Sequence, residues 1–205
     1  MAADRKRRRR SSRTEKTSIL VVTNGALTEK IYLDEIKQRA VDAGAEELKN
    51  ASVKVHFING ETDTLLKKLS SPHGDTSSYD EVWIVVDEDG HEREPFLRDC
   101  ARRGTKKQNW HGIVSRPCFE VWLVAHYEQV RRYPDQKAAQ AHYRRLIPDT
   151  VGEKELPSDF PYDAVADAVP RSHLKGEAQP PLDELPPTPG TGMPHLVRRL
   201  GLVSD

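Results

Sequence analysis

Cysteine is scarce. Cys100 and Cys118 are the only two in 205 residues, too few for a disulfide framework and without the spaced partners of a zinc site. Long apolar runs are missing as well. Nothing approaches the roughly 18 residues that cross a bilayer, which excludes a membrane-spanning helix. The chain starts basic but has no apolar segment behind the charges, so it does not open on a secretory signal. A glycine-rich phosphate cradle is also lacking. The turn Asn24-Gly25-Ala26 is too poor in glycine for one, which argues against a small-molecule phosphotransferase. These absences leave a cytoplasmic protein with no membrane partner as the expectation.

Net charge is absent too, but only on average. Lys and Arg number 32, as do Asp and Glu. Arg5 to Arg10 hold six of the basic residues, against one acid, Asp4. Without them 26 basic residues face 31 acids, a balance of −5. The body is therefore not a generally basic nucleic-acid binder. The leader can add non-specific phosphate affinity by counterion release, or simply be solvated chain. Hydrophobic residues make up 36% and charged residues 31%, a polar chain that is still long enough to bury a core.

What is present alternates. Ser18 to Val22 reads as a buried strand, followed by a turn at Thr23-Asn24-Gly25. Thr28 suits a helix N-cap, with Ile31, Tyr32, Ile36 and Ala40 facing inward up to about Ala43. Val53 to Ile58 alternates as a strand nearer an edge, and Thr62 to Leu69 as a short helix. Val82 to Val86 is a second fully apolar strand, Glu94 to Arg103 a helix, and Gly112 to Ser115 a short strand. Pro117 suits the first turn of a helix through Tyr127. Beyond it come helices near Lys137 to Leu146, Asp163 to Val169 and Met193 to Leu200, with a Pro- and Gly-rich linker at 178–192. The reading is α/β: a mostly parallel sheet flanked by helices, with a helical and irregular C-terminal extension. Residues 1–16 form a disordered basic tail, 17–130 the α/β core, and 131–205 an extension packed on it.

The third strand ends in Asp87-Glu88-Asp89-Gly90. In open α/β sheets ligands bind at the carboxyl ends of strands. Asp-x-Asp there offers hard oxygen ligands to Mg²⁺. Asp and Gly are also ordinary turn residues, so a plain turn is the alternative. Right-handed crossovers put the turns after the first and third strands at one sheet end, so Asn24-Gly25 should face Asp87 and Asp89 across a cleft.

Several stretches resemble the RloB-like proteins. Ile19 to Leu33 is similar to their opening strand, then Glu-Gly, then Thr-Glu before an aromatic. Val85 to Asp89 matches their Asp-x-Asp strand end. Ser115-Arg116-Pro117-Cys118-Phe119-Glu120-Val121-Trp122-Leu123 with His126-Tyr127 closely resembles their Ser-Asn-Pro-Cys-Phe-Glu stretch. Thr191 to Val197 is a weaker echo. The resemblance implies a Toprim-type fold and a toxin-like nuclease of bacterial restriction and abortive-infection loci, in some cases with an ATPase partner. It implies that Asp87 and Asp89 hold Mg²⁺ or Mn²⁺, and that a Glu after the first strand moves the proton. Here that position is Asn24, which cannot exchange a proton at neutral pH.

Three readings follow from Asn24. The site binds without reacting, or a nearby carboxylate (Glu29 or Glu120) substitutes, or the metal's water needs no protein base. Glu29 lies in a helical first turn, where a carboxylate is favoured by the dipole in any case. Glu120 is a further metal ligand or an ion-pair partner of Arg116. Arg116, with the amides near Cys118, is placed to hold a phosphate. His126 shares a helix face with Trp122, as a base or as a hydrogen-bonded core histidine, and Cys118 is packing. Arg102, Arg103, Lys106 and Lys107 form a surface for the nucleic-acid backbone or a solvated helix face. The expected function is a Mg²⁺-dependent nuclease acting on RNA or DNA in phage defence, attenuated by Asn24; the alternative is an inactive binding or regulatory subunit.

Overall fold

The computed structural model describes residues 17–71, 74–152 and 155–204. The basic tail expected to be disordered lies outside them. Five strands form one sheet in the order β2-β1-β3-β4-β5. β1 (Thr17–Thr23), β2 (Ala51–Phe57), β3 (Glu81–Asp87) and β4 (Asn109–Arg116) run parallel, and β5 (Gly190–Thr191) pairs antiparallel with β4. This is the expected α/β sheet.

The apolar runs of β1 and β3 are explained by burial on both faces. Ile19 and Val21 of β1, with Trp83 and Val85 of β3, enter one core cluster. Leu20 and Val22, with Val82, Ile84 and Val86, enter the other. The second cluster is covered by α2 (Thr62–Leu69) and α3 (Glu94–Arg103). Gly112 lets α3 approach β4: a Cβ there would stand 2.6 Å from Leu97 Cδ2. The first cluster lies under α1 (Thr28–Asp42), α4 (Glu120–Ala125), α5 (Gln136–Arg144), α6 (Val165–Arg171) and α7 (Met193–Arg199). The buried aliphatic and aromatic side chains after residue 130 join this cluster, while partly buried Leu185 packs on the other.

Four local expectations are corrected. On α1, Tyr32, Ile36 and Ala40 face inward as expected, but Leu33 is the fourth buried residue and Ile31 is 43% exposed. Pro117 lies upstream of its helix, which begins only at Glu120 and is six residues long. The helix expected to stop at Val169 runs on through Pro170 to Arg171 as α6. Residues 178–192 are no linker. Asp183 accepts from the Gly112 amide and contacts His111 Nδ1, both at 2.9 Å, and Gly190–Thr191 completes the sheet edge. Prolines give this strap few donors of its own; the Pro180 and Pro186 carbonyls and the Asp183 carboxylate accept, and the Gly192 amide donates to the Val114 carbonyl at 3.0 Å. Among the described residues no helix is long and apolar enough to cross a membrane.

Candidate functional site

The site starts from the alternation of β3. Successive side chains on a strand point to opposite faces, and the pattern carries past its end. Asp87 and Asp89 line one cleft, while Glu88 turns away to Arg116. Asp89 holds a left-handed backbone (φ +49°), a conformation Asp tolerates better than most residues. Its amide reaches the Pro117 carbonyl, and the Glu88 amide the Ser115 carbonyl at 2.9 Å. The loop is thus tied to the end of β4.

Asp87 is the electrostatic centre. It keeps some surface toward the cleft, but packed atoms surround its carboxyl and hold its pKa well above the usual carboxylate range. Glu29, Glu120 and Asp89 push it in the same direction, in that order after desolvation. The Phe119 amide donates to it and opposes the shift. That amide at the start of α4 therefore serves the protein's own carboxylate. From behind, Arg93 Nε donates to the Asp87 carbonyl at 2.7 Å. Arg93 is only 2% exposed, and its Nη1 also reaches Thr62 Oγ1.

Glu29 comes from the first turn of α1, and its carboxylate folds back over Gly25. A Cβ on Gly25 would stand 2.0 Å from Glu29 Cδ, so the residue at 25 must have no side chain for the carboxylate to lie there. The Gly25 amide donates to Thr23 Oγ1 at 3.0 Å, closing the turn that carries Asn24 into the cleft. Three residues further along α1, fully buried Tyr32 fixes the helix. It meets Phe119, Trp122, His126, Phe160 and Tyr162 within 5.5–6.3 Å. Since Phe119 precedes Glu120, this aromatic cluster sets Glu29 and Glu120 relative to each other.

The cleft holds about 710 Å³. Its floor is Asp87, Asp89, Glu120 and Glu29, and its near rim is Asn24 to Leu27. Its far wall is α5, which presents Gln136, Gln140 and Arg144 at helical spacing. Tyr143 lines the same wall, with a buried hydroxyl that has no hydrogen-bond partner among the described residues. Burial pushes that phenol up, and Glu120 adds to the shift. The α5 wall was not foreseen. Its one sequence signal, polar residues at i, i+4 and i+8, is indistinguishable from a solvated face until the helix is docked.

The RloB-like protein family model matches residues 19–200. The chain belongs to the RloB-like family. No curated protein and no solved structure matches it. Every carboxylate of the cleft falls inside the family match, as do both walls.

Other predicted residues of this RloB-like chain lie elsewhere. Arg116 pairs with Glu88 at 2.6–2.7 Å and donates to the Pro186 carbonyl at 2.8 Å, so Glu120 is not its ion-pair partner. Lys106 and Lys107 precede β4, whose first residue registers with Glu81 at the opposite end of β3 from Asp87. A seven-residue strand separates them from the acids, about 20 Å. Arg102 pairs with Asp99 at 3.0 Å, and Arg103 donates to Ser70 Oγ and the Asp99 carbonyl. This basic group therefore sits away from the acids rather than just after them.

His126 is a core residue. Tyr32 Oη lies 3.0 Å from its Nε2 and the Pro161 carbonyl 3.0 Å from its Nδ1. Burial lowers its pKa to about 4, which keeps the ring neutral. Cys118 is buried in the same cluster.

The donor set suits a hard divalent cation in chemistry and charge. The side chains that shift Asp87 are all acids, a concentration of negative charge that favours a cation. Among the described residues no three His, Cys, Asp or Glu side chains stand close enough to cage an ion. An open arrangement remains, with one or two carboxylates as ligands and water or phosphate as the others, as Mg²⁺ prefers.

Proposed function

We propose that this RloB-like protein is a divalent-metal-dependent nuclease of the Toprim type, hydrolysing phosphodiester bonds of nucleic acid in bacterial phage defence. One observation carries the reading: Asp87 sits desolvated at the carboxyl end of a central strand, with Glu29, Glu120 and Asp89 as the charges that act on it. Perturbed carboxylates in a cleft are candidates for function. A bound Mg²⁺ or Mn²⁺ polarises a phosphate and acidifies water. One or two of Asp87, Asp89 and Glu120 would hold it, with water or phosphate completing the shell. Asn24, on the rim, donates a hydrogen bond to a phosphate oxygen. Glu29 takes the proton that Asn24 cannot, because its carboxylate lies over Gly25 within the field of Asp87. Arg116 acts through Glu88, holding the loop that carries Asp89. An ATPase or restriction-system partner, and a role in abortive infection, follow from the family resemblance.

Purified protein with Mg²⁺ or Mn²⁺ and either total RNA or plasmid DNA tests the chemistry. Metal-dependent cleavage that disappears in Asp87→Asn is expected. Undiminished cleavage in that variant overturns the assignment. Asn24 favours a second reading, an inactive binding or regulatory subunit. Under that reading the wild type is inert with either metal, and Asn24→Glu does not restore cleavage.

A further inference from the structure

The cleft contains more than its acids use. Phe57 closes β2, and its register partner is Thr23. Val53 and Val55, on the same strand face, pack on the first core cluster. Phe57 follows them in that alternation but belongs to neither cluster, and it is only partly buried. It lines the cleft, together with Leu27, which is 48% exposed, and also borders a neighbouring hollow lined by His56 and Lys68. An aromatic kept out of the core at the rim of a charged cleft offers a stacking face. Opposite it, α5 presents Gln140 and Arg144. Among the described residues the partners of the Arg144 guanidinium are carbonyls, those of Val151 and Gly152. Its charge thus remains for an anion. Acids on the floor, an aromatic on one flank and a cation with amides on the other are arranged around a volume of about 710 Å³. That volume lies within the roughly 300–1,000 Å³ of small-molecule sites, room for one or two linked nucleotides and not for the girth of a duplex.

We propose that the cleft takes an unpaired nucleic-acid strand. One base stacks on Phe57, and the adjoining backbone is held by Arg144 with Gln140. Chemistry inside a pocket this size requires the base to be out of the stack. Stacking tolerates any base, so recognition is of single-strandedness rather than sequence. What is done to the strand rests on the nuclease reading; that the strand binds here does not.

The test is fluorescence anisotropy in Ca²⁺ with a labelled mixed-sequence single strand of about ten nucleotides, a length within OB-fold-type single-strand site sizes. DNA and RNA are run in separate arms, each beside its fully paired duplex. The single strand is expected to bind at least tenfold tighter than the duplex in one or both arms. Phe57→Ala should weaken it about 5- to 100-fold, the loss of one stacked base, and Phe57→Trp should retain it. Arg144→Gln should weaken it and lower the salt slope by about one phosphate contact. Thermal melts of each variant verify folding. Equal affinity for duplex and single strand overturns the proposal, and so does unchanged affinity in both Phe57→Ala and Arg144→Gln. Asp87→Asn separates the two ideas. If single strands bind as proposed while the wild type cleaves nothing, the nuclease reading fails and this one stands. If cleavage is Asp87-dependent but duplex binds as well as single strand, the reverse holds.

Discussion

Glu81 opens β3 and Asp87 closes it, and the fold treats the two carboxylates in opposite ways. Glu81 receives a two-pronged guanidinium from Arg199 at 2.8–3.1 Å and the indole N–H of Trp83 at 2.9 Å. Asp87 receives one amide and is otherwise surrounded by Glu29, Glu120 and Asp89. A forked arginine is the strongest neutralisation a protein offers a carboxylate. Leaving the other end of the same strand to like charge stores an electrostatic cost that only something from outside relieves. The comparison separates an acid that the fold neutralises from one that it leaves among like charges.

The sharpest way to break it is Asp87→Asn. Cleavage should fall by at least about 10³-fold, the scale of losing a central electrostatic group. The sign for stability is opposite. Asp87's pKa is raised in the fold, so the native state binds more protons than the unfolded chain and stability falls as pH rises above the ordinary carboxylate value. Removing the charge should therefore raise the Tm of the metal-free protein at neutral pH. Added Mg²⁺ should raise the Tm of the wild type and not of the variant. A variant less stable than wild type would make Asp87 another Glu81.

Acid tests the core behind the site. His126 titrates near 4 folded, against 6.5 for an ordinary histidine. The unfolded chain takes the proton first, so stability is complete above about pH 6.5 and is lost as pH falls toward 4, by about 3 kcal/mol in all. His126→Gln should flatten that part of a urea-midpoint profile; an unaltered profile would remove His126 as its cause.

Glu29 and Gly25 form a paired experiment. Glu29→Gln should lower cleavage about 10²-fold, the usual worth of a positioned base. Gly25→Ala should do nearly the same, because its methyl group occupies the carboxylate's place. What yields is the end of a flexible side chain, so its stability should change by less than about 1 kcal/mol. Full activity in Gly25→Ala would mean that the folded-back Glu29 is not needed.

At the other end of β3, Glu81→Gln should lower stability by about 1–2 kcal/mol in urea unfolding, the worth of charge-assisted bonds, with cleavage kept. Smallest of all, neutralising Arg102, Arg103, Lys106 and Lys107 should change cleavage of short substrates less than about twofold, because charges beyond a Debye length of roughly 8–10 Å are screened. A larger loss would bring that surface into the binding path.

Much of this was legible in the chain. Apolar strands, helix spacing and the Asp-x-Asp end are local patterns, and α2 and α3 lie where periodicity put them. Asn24 facing Asp87 followed from crossover handedness. Other features escaped for a common reason. A carboxylate in a first helical turn looks the same whether it points to solvent or folds over a glycine. Arg116 has Glu120 four residues away in sequence, and only the pairing of β3 with β4 brings Glu88 to it instead. The stripe on α5 and the strap at 178–192 are polar or Pro-rich stretches whose partners lie far away along the chain.

The sequence by itself determined the alternating architecture, the strand that ends in acids and the family, because each is written in short-range spacing. The tertiary structure alone decided which charges are neutralised. Pairing depends on which distant residues the fold brings within a few ångströms, and burial then magnifies every match and mismatch. Asp87 was one of 32 acids in the chain; its company, Glu29 and Glu120 in front and the Arg93 guanidinium on its carbonyl behind, exists only once α1, α3 and α4 have met at the end of β3.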